Sequence, residues 1–293
     1  CDIMKWSIPA KTFFLGEYAA LSGLPAIVLT TTPCFELTLS EEPGLVGIHP
    51  DSPAGLFWTK QPAFDKGLAW FDPYHGRGGL GASSAQFVGA YLASSYLKQA
   101  SHSQADMLNQ YFQCAWSGIG VRPSGYDVLA QSMQGCVYIH QQAAQYQAYP
   151  WPFKDLAFIL LHTGEKLATH QHLQGFNQPS QMTQLACIVE SARSAFELSD
   201  SSRIIDAVNS YHQNLLQMKL VAPHSVHQID HFKNQTNVLA IKGCGAMGSD
   251  VILMLVPEAQ LGAMCTQLEQ DGSTILATSI QIYGAPCAKI SAA

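Results

Sequence analysis

Charge is scarce in this chain: Asp, Glu, Lys and Arg make up 12% of its 293 residues, against about a quarter in an average globular protein. Lys and Arg number 15 and form no run, and the formal net charge is −6. Nucleic-acid binding needs clustered cations to neutralise phosphates, so that class is excluded, and an anionic membrane surface is disfavoured for the same reason. No apolar stretch reaches the roughly 18–20 residues of a membrane span, and the first residues lack the charged-then-apolar pattern of a secretion signal. The opening residue, Cys1, reads as a trimmed start.

Paired cysteines are missing as well. The eight cysteines (Cys1, Cys34, Cys114, Cys136, Cys187, Cys244, Cys265 and Cys287) include no C-x-x-C pair and stand mostly among apolar neighbours. That removes support for a zinc framework or a disulfide scaffold and suits the reduced thiols of a cytoplasmic protein. Internal repeats and low-complexity segments are absent too. What is present is a 47% hydrophobic chain long enough for two ordinary domains.

Strand and helix patterns mix without strict alternation, which predicts an α+β fold. Residues 5–15 read as a strand, 26–39 as strand, turn and strand, and 40–75 as a stretch with little periodicity. Residues 86–98 and 106–119 read as helices and 135–149 as a strand pair. Tyr149-Pro150-Trp151-Pro152 interrupts any regular element, which divides the chain into domains 1–152 and 153–293. Beyond it, strands are expected at 155–162, 237–241, 251–256 and 279–283, and helices at 181–196, 204–218, 226–232 and 258–270.

Gly79-Leu80-Gly81-Ala82-Ser83-Ser84-Ala85 joins a glycine-rich loop to a helix start. Small residues let backbone N–H groups approach an anion, and the open donors and dipole of the first helical turn favour its charge. The hydroxyls of Ser83 and Ser84 are candidate metal ligands or simple caps. Three more segments carry chemistry-bearing residues: Pro9-Ala10-Lys11 running to Gly16-Glu17-Tyr18, Pro123-Ser124-Gly125-Tyr126-Asp127, and Lys242-Gly243-Cys244-Gly245-Ala246-Met247-Gly248-Ser249-Asp250. Each has a plain structural reading beside the chemical one: Lys11 as a solvated strand-end lysine, Glu17 as structural, Asp127 as a helix cap, and Asp250 as a turn residue.

Taken in chain order, residues 9–26, 79–85 and 243–250 resemble the three motifs of the GHMP kinase superfamily, on its mevalonate kinase and phosphomevalonate kinase branch. Thr163-Gly164 followed by Thr169 is similar to the segment that opens the second domain in those enzymes. The resemblance implies an N-terminal domain related to ribosomal protein S5 domain 2 and a ferredoxin-like C-terminal domain, with ATP and Mg²⁺ as cofactors. It assigns Asp127 as the group that accepts the substrate proton and Lys11 as its charge partner. Gly79, Leu80, Gly81, Ala82, Ser83, Ser84 and Gly245 would hold the nucleotide, with Ser83 on the metal. Glu17, Tyr18, Arg77, Arg122, Thr169, Gly243 and Ala246 would meet the substrate, an anionic small molecule for which scarce arginines near the motifs are the natural partners.

The chain departs from the pattern in Ala10, where glycine is usual, and in having Cys114-Ala115-Trp116-Ser117-Gly118 where animal mevalonate kinases carry a Mg²⁺-binding glutamate. Tyr18 and Asp250 lean towards phosphomevalonate kinase, and the short chain towards mevalonate kinase. Sugar or homoserine kinases, diphosphomevalonate decarboxylase and a non-catalytic ligand sensor stay open as alternatives, as does a homodimer. His224, His227 and His231 share a helical spacing, and His170 and His172 flank Gln171, but no acidic or cysteine partner supports a metal site at either.

Overall fold

The computed structural model of the chain describes residues 4–61, 65–164, 179–235 and 237–284. The first sheet is organised by one 15-residue strand, β2 (Ala26–Ser40). Its β-branched opening suits a pleated, buried surface. One edge pairs with β1 (Lys5–Leu15). The other edge is divided, Ala26 to Leu29 taking β5 (Cys136–His140) and Glu36 to Ser40 taking β4 (Gly67–Phe71).

This corrects the strand-turn-strand reading of residues 26–39, because the chain does not reverse at Pro33. The Thr32–Pro33 peptide is cis, and Pro33 and Pro9 both fall in the register shift between the Ile8–Phe35 and Ala10–Thr31 pairs. Proline has no N–H for the ladder and is accommodated where pairing is interrupted.

β3 (Gly44–Val46) pairs parallel with β4, and β6 (Gln145–Tyr149) antiparallel with β5, to complete six strands. With α1 (Pro53–Thr59), these short elements occupy part of the interval read as aperiodic. Elements of three to seven residues are too brief for a period to show.

Helix α2 (Ala82–Leu97) lies across this sheet with ten of its residues buried, and small side chains let it approach closely. A methyl group at Gly89 would come within 3.0 Å of Leu37 Cβ. α3 (Gln104–Ala115) is capped by the Ser103 hydroxyl and ends four residues before the expected Ile119, and α4 (Tyr126–Ser132) follows.

The second sheet runs β10 (Ile275–Thr278), β7 (Leu156–His162), β9 (Val251–Pro257), β8 (Ala240–Cys244), antiparallel throughout, which is the strand order of a ferredoxin-like fold. Its helices are α5 (Pro179–Leu198), α6 (Ser201–Gln217), α7 (Pro223–Lys233) and α8 (Leu261–Gln270). Two expectations change here. Residues 279–283 form no strand: Ser279–Gln281 is a 3-10 turn closed by a Thr278–Gln281 capping box, and only Ile282 bridges to Thr31. Residues 258–270 start as a separate 3-10 turn, Glu258–Gln260.

One apolar core runs through both sheets. Phe14 of β1 meets Trp151 and Phe196 edge-on, and Trp151 in turn packs on Phe153 and Phe158. α5 is clamped to the first sheet: the Tyr138 hydroxyl donates to Glu190 at 2.6 Å, and the Arg193 guanidinium lies 4.2 Å from the Tyr138 ring. Among the described residues, no helix is long and apolar enough to cross a membrane.

Candidate active site

β1, α4 and the glycine loop meet at Lys11. The Lys11 ammonium lies 3.1 Å from the Asp127 carboxylate, and the lysine side chain is only 12% exposed, so it is no solvated strand-end residue. Its stem passes against Gly81, where a methyl group would come within 2.6 Å of Lys11 Cγ, and its backbone N–H donates to Leu80 O at 3.0 Å. Asp127 stands in the first turn of α4 between the fully buried Tyr126 and Val128. That turn is fixed by the Tyr126 hydroxyl, which donates to Leu24 O at 2.8 Å. Gly125, in the left-handed conformation, occupies the cap, so Asp127 is not the cap residue.

Behind this pair, Gln131 of α4 donates from Nε2 to Pro9 O and to Gly81 O, both at 3.0 Å. One buried amide thus ties strand, helix and glycine loop together. The sequence reading missed it, since a glutamine in an apolar run carries no signal of its own.

α2 starts from Gly81 (φ 78°) with no side-chain cap on its first turn. The N–H groups of that turn have no partner within the helix, the condition for anion binding. The two serines separate cleanly: Ser84 is buried and its hydroxyl donates to Gly81 O at 3.0 Å, whereas Ser83 is exposed.

The second half closes on this arrangement through residues 243–250. Gly79 packs against Asp250, Gly245 lies beside the Asp250 carboxylate, and Gly243 abuts Gly248. Tyr18 Oη accepts from the Met247 N–H at 2.9 Å, and burial pushes the phenol up to about 12. The Thr163 hydroxyl donates to the backbone of Ser249 and Asp250. Glu17, 6% exposed, accepts from the fully buried Lys242 ammonium at 2.8 Å. Burial works against the Lys242 charge, but Cys244 and Glu17 outweigh it and hold the ammonium above its ordinary pKa. Burial also pushes the Cys244 thiol up to about 11.

A cavity of about 210 Å³ takes Lys11, Asp127, Glu17, Tyr18, Ala246 and Asp250 into its wall, while residues 79–84 of the glycine loop do not line it. Gly245, Met247, Phe13, Tyr111 and Ser124 complete much of its wall. Of the residues expected at the substrate, Gly243 is enclosed within β8 and does not reach the wall. Arg77 is exposed on the approach to the glycine loop, and Arg122 stacks 4.3 Å from the Phe112 ring, lining a neighbouring groove. Thr169, His170 and His172 lie outside the described residues. His227 and His231 are exposed on α7 and His224 is half-buried. Among the described residues, no three His, Cys, Asp or Glu side chains converge as metal ligands.

No family model and no curated protein sequence matches the chain. Solved structures do. A Streptococcus pneumoniae phosphomevalonate kinase superposes with a TM-score of 0.77 at 17% identity, over 95% of this chain and 99% of that one. A Methanococcus jannaschii mevalonate kinase gives 0.75 at 13% identity, over 96% and 99%. A Lactococcus lactis galactokinase, solved with galactose, gives 0.72 at 11%, over 97% and 94%. The fold is therefore that of the GHMP kinases, a class of small-molecule phosphotransferases.

Proposed function

We propose that the chain is an ATP-dependent small-molecule kinase that transfers the γ-phosphoryl group of MgATP to an anionic acceptor, mevalonate or 5-phosphomevalonate. The observation that carries this reading is the Lys11–Asp127 pair, 3.1 Å apart, opening into a cavity, with the uncapped N-terminus of α2 beginning at Gly81 against the Lys11 stem. Phosphoryl transfer asks little covalent work of a protein. It needs the phosphates held, the developing charge met, and the attacking oxygen oriented. The backbone N–H groups at residues 81–84 suit the first task, Lys11 the second and Asp127 the third, as acceptor of the attacking hydroxyl's proton. The likeness to a phosphomevalonate kinase solved with phosphomevalonate and AMPPNP supports the choice of donor and of acceptor class.

The residues present fit a nucleotide-borne Mg²⁺. A side chain at Gly79 would strike Asp250 and one at Gly81 would strike Lys11 and Gln131, so both positions leave the loop to backbone alone, and Ser83 beside them is exposed. Ser83 would hold the metal together with phosphate oxygens and water, as Mg²⁺ readily accepts, and the metal would neutralise phosphate charge. Acceptor-dependent ADP release, assayed with mevalonate, 5-phosphomevalonate, homoserine and galactose, tests the reading. No release with any of these four acceptors would refute it, and release of carbon dioxide from diphosphomevalonate would replace it with a decarboxylase.

A further inference from the structure

The cavity that would hold the acceptor is short of positive charge. Among the described residues, Lys11 is the one cation of its wall and is paired with Asp127, while Glu17 and Asp250 add two more carboxylates. Arg77 and Arg122, the cations expected to meet an anionic substrate, lie outside that wall. A carboxylate taken out of water still needs hydrogen-bond donors, so neutral groups have to supply them. Three side-chain hydroxyls stand in the wall, those of Tyr18, Tyr111 and Ser124. Tyr18 Oη accepts from the Met247 N–H, and Ser124 Oγ accepts from the Tyr126 N–H at 3.2 Å. The Tyr111 hydroxyl has no hydrogen-bond partner among the described residues, and its oxygen is not sealed in as those of Thr12 and Thr31 are.

Tyr111 is held where the packing of α3 puts it. The Tyr91 hydroxyl donates to Asp106 at 2.7 Å, which pins α3 to α2, and the Tyr111 ring meets Phe87 edge-on with centroids 5.2 Å apart. Burial, with the charge of Asp127 added, pushes the phenol well above its ordinary pKa. It therefore keeps its proton throughout the neutral range and is a donor there rather than an anion.

We propose that Tyr111 is a substrate-binding residue of this site, its hydroxyl donating a hydrogen bond to the carboxylate of the acceptor while Lys11 and Asp127 attend to the oxygen that is phosphorylated. This rests on the kinase reading and deepens it. An uncharged donor suits the place: a second cation would compete with Lys11 for Asp127 and lower its basicity, whereas a phenol leaves the ion pair intact. The acceptor class is narrowed to hydroxy acids, since a neutral sugar brings no carboxylate to Tyr111.

The test compares the wild type with Tyr111→Phe, which keeps the ring against Phe87 and removes only the hydroxyl, so its melting temperature should stay near that of the wild type. Calorimetric titration in the presence of AMPPNP uses mevalonate, 5-phosphomevalonate and the amides of their carboxylates as probes. Tyr111→Phe should bind the tighter of the two carboxylates about tenfold or more weakly than the wild type does, the worth of a hydrogen bond to a charged group, and lose clearly less with its amide. KM for the same acceptor should rise by the same factor, with KM for MgATP unchanged.

Unchanged affinity in Tyr111→Phe, or an equal loss with carboxylate and amide, would overturn the proposal, as would a wild type that binds neither carboxylate. A variant that melts far below the wild type would make the hydroxyl structural and overturn it too. The kinase reading fails separately: a wild type that binds the carboxylates through Tyr111 yet releases no ADP with either would keep the binding site and lose the phosphoryl transfer.

Discussion

Gly79 and Asp250 compete for the same space: a methyl group on Gly79 would lie 2.4 Å from Asp250 Cβ. The glycine loop of the first half and the glycine turn of the second are thus in contact through a residue that has no side chain. Gly79 also holds φ at +87°, where an L side chain is strained. Gly79→Ala is expected to cost about 1–3 kcal/mol of stability and to raise KM for MgATP about tenfold. Thermal melting and nucleotide-dependent kinetics on one preparation check both.

Asp127→Asn keeps the shape of the side chain and removes its basicity. With an alcohol acceptor, kcat should fall by about 10²–10⁴ with little change in KM for MgATP. A phosphate acceptor arrives already ionised and should lose far less, so the size of the defect distinguishes mevalonate from 5-phosphomevalonate. Wild-type turnover by the variant would remove Asp127 from the chemistry.

Lys11→Met keeps most of the stem that packs on Gly81 and deletes the charge. The loss should fall mainly on kcat, by about 10²-fold or more, as expected for a group that meets charge developing in the transition state. A change confined to KM would reassign Lys11 to ground-state binding.

Ser83→Ala and Ser84→Ala should behave differently although the residues are adjacent. The Ser84 hydroxyl is committed to Gly81 O, so its loss should loosen the helix start without altering the metal requirement. Ser83→Ala should shift the Mg²⁺ dependence of kcat to higher concentration. A Mg²⁺ titration at fixed ATP separates them.

His212 gives the molecule a predictable acid sensitivity. It is buried on α6, and burial, reinforced by Lys242, lowers its pKa from 6.5 to about 4. A group whose folded pKa is depressed binds fewer protons in the native state than in the unfolded one between these values. Stability therefore falls as pH drops from 6.5 towards 4 and the contribution levels off below. His212→Asn should flatten melting temperature against pH across that window.

The motifs were legible because their chemistry demands particular residue types: an isolated lysine before an apolar strand, a carboxylate beside a small-residue turn, and glycines where backbone meets phosphate. Helix α2 and strand β7 were legible because long apolar patterns leave little choice. Residues 26–39 misled because proline is normally a breaker, and nothing local says that Pro9 stands opposite to share the irregularity. The roles of Gln131 and Lys242 were out of reach, since their meaning lies in partners 50 to 225 positions away. Arg77 and Arg122 drew attention as rare cations near motifs, yet nearness in sequence placed neither in the cavity wall.

The aromatic cluster around Trp151 sits where the chain passes from one sheet to the other, and it packs on Phe14, Phe158 and Phe196 from both sides. The passage is thus a keystone rather than a tether. Calorimetry should record one cooperative transition for the whole molecule. Cleaving the backbone between Pro150 and Pro152 should leave two fragments that remain associated, because each buries aromatic surface that the other would otherwise expose to water.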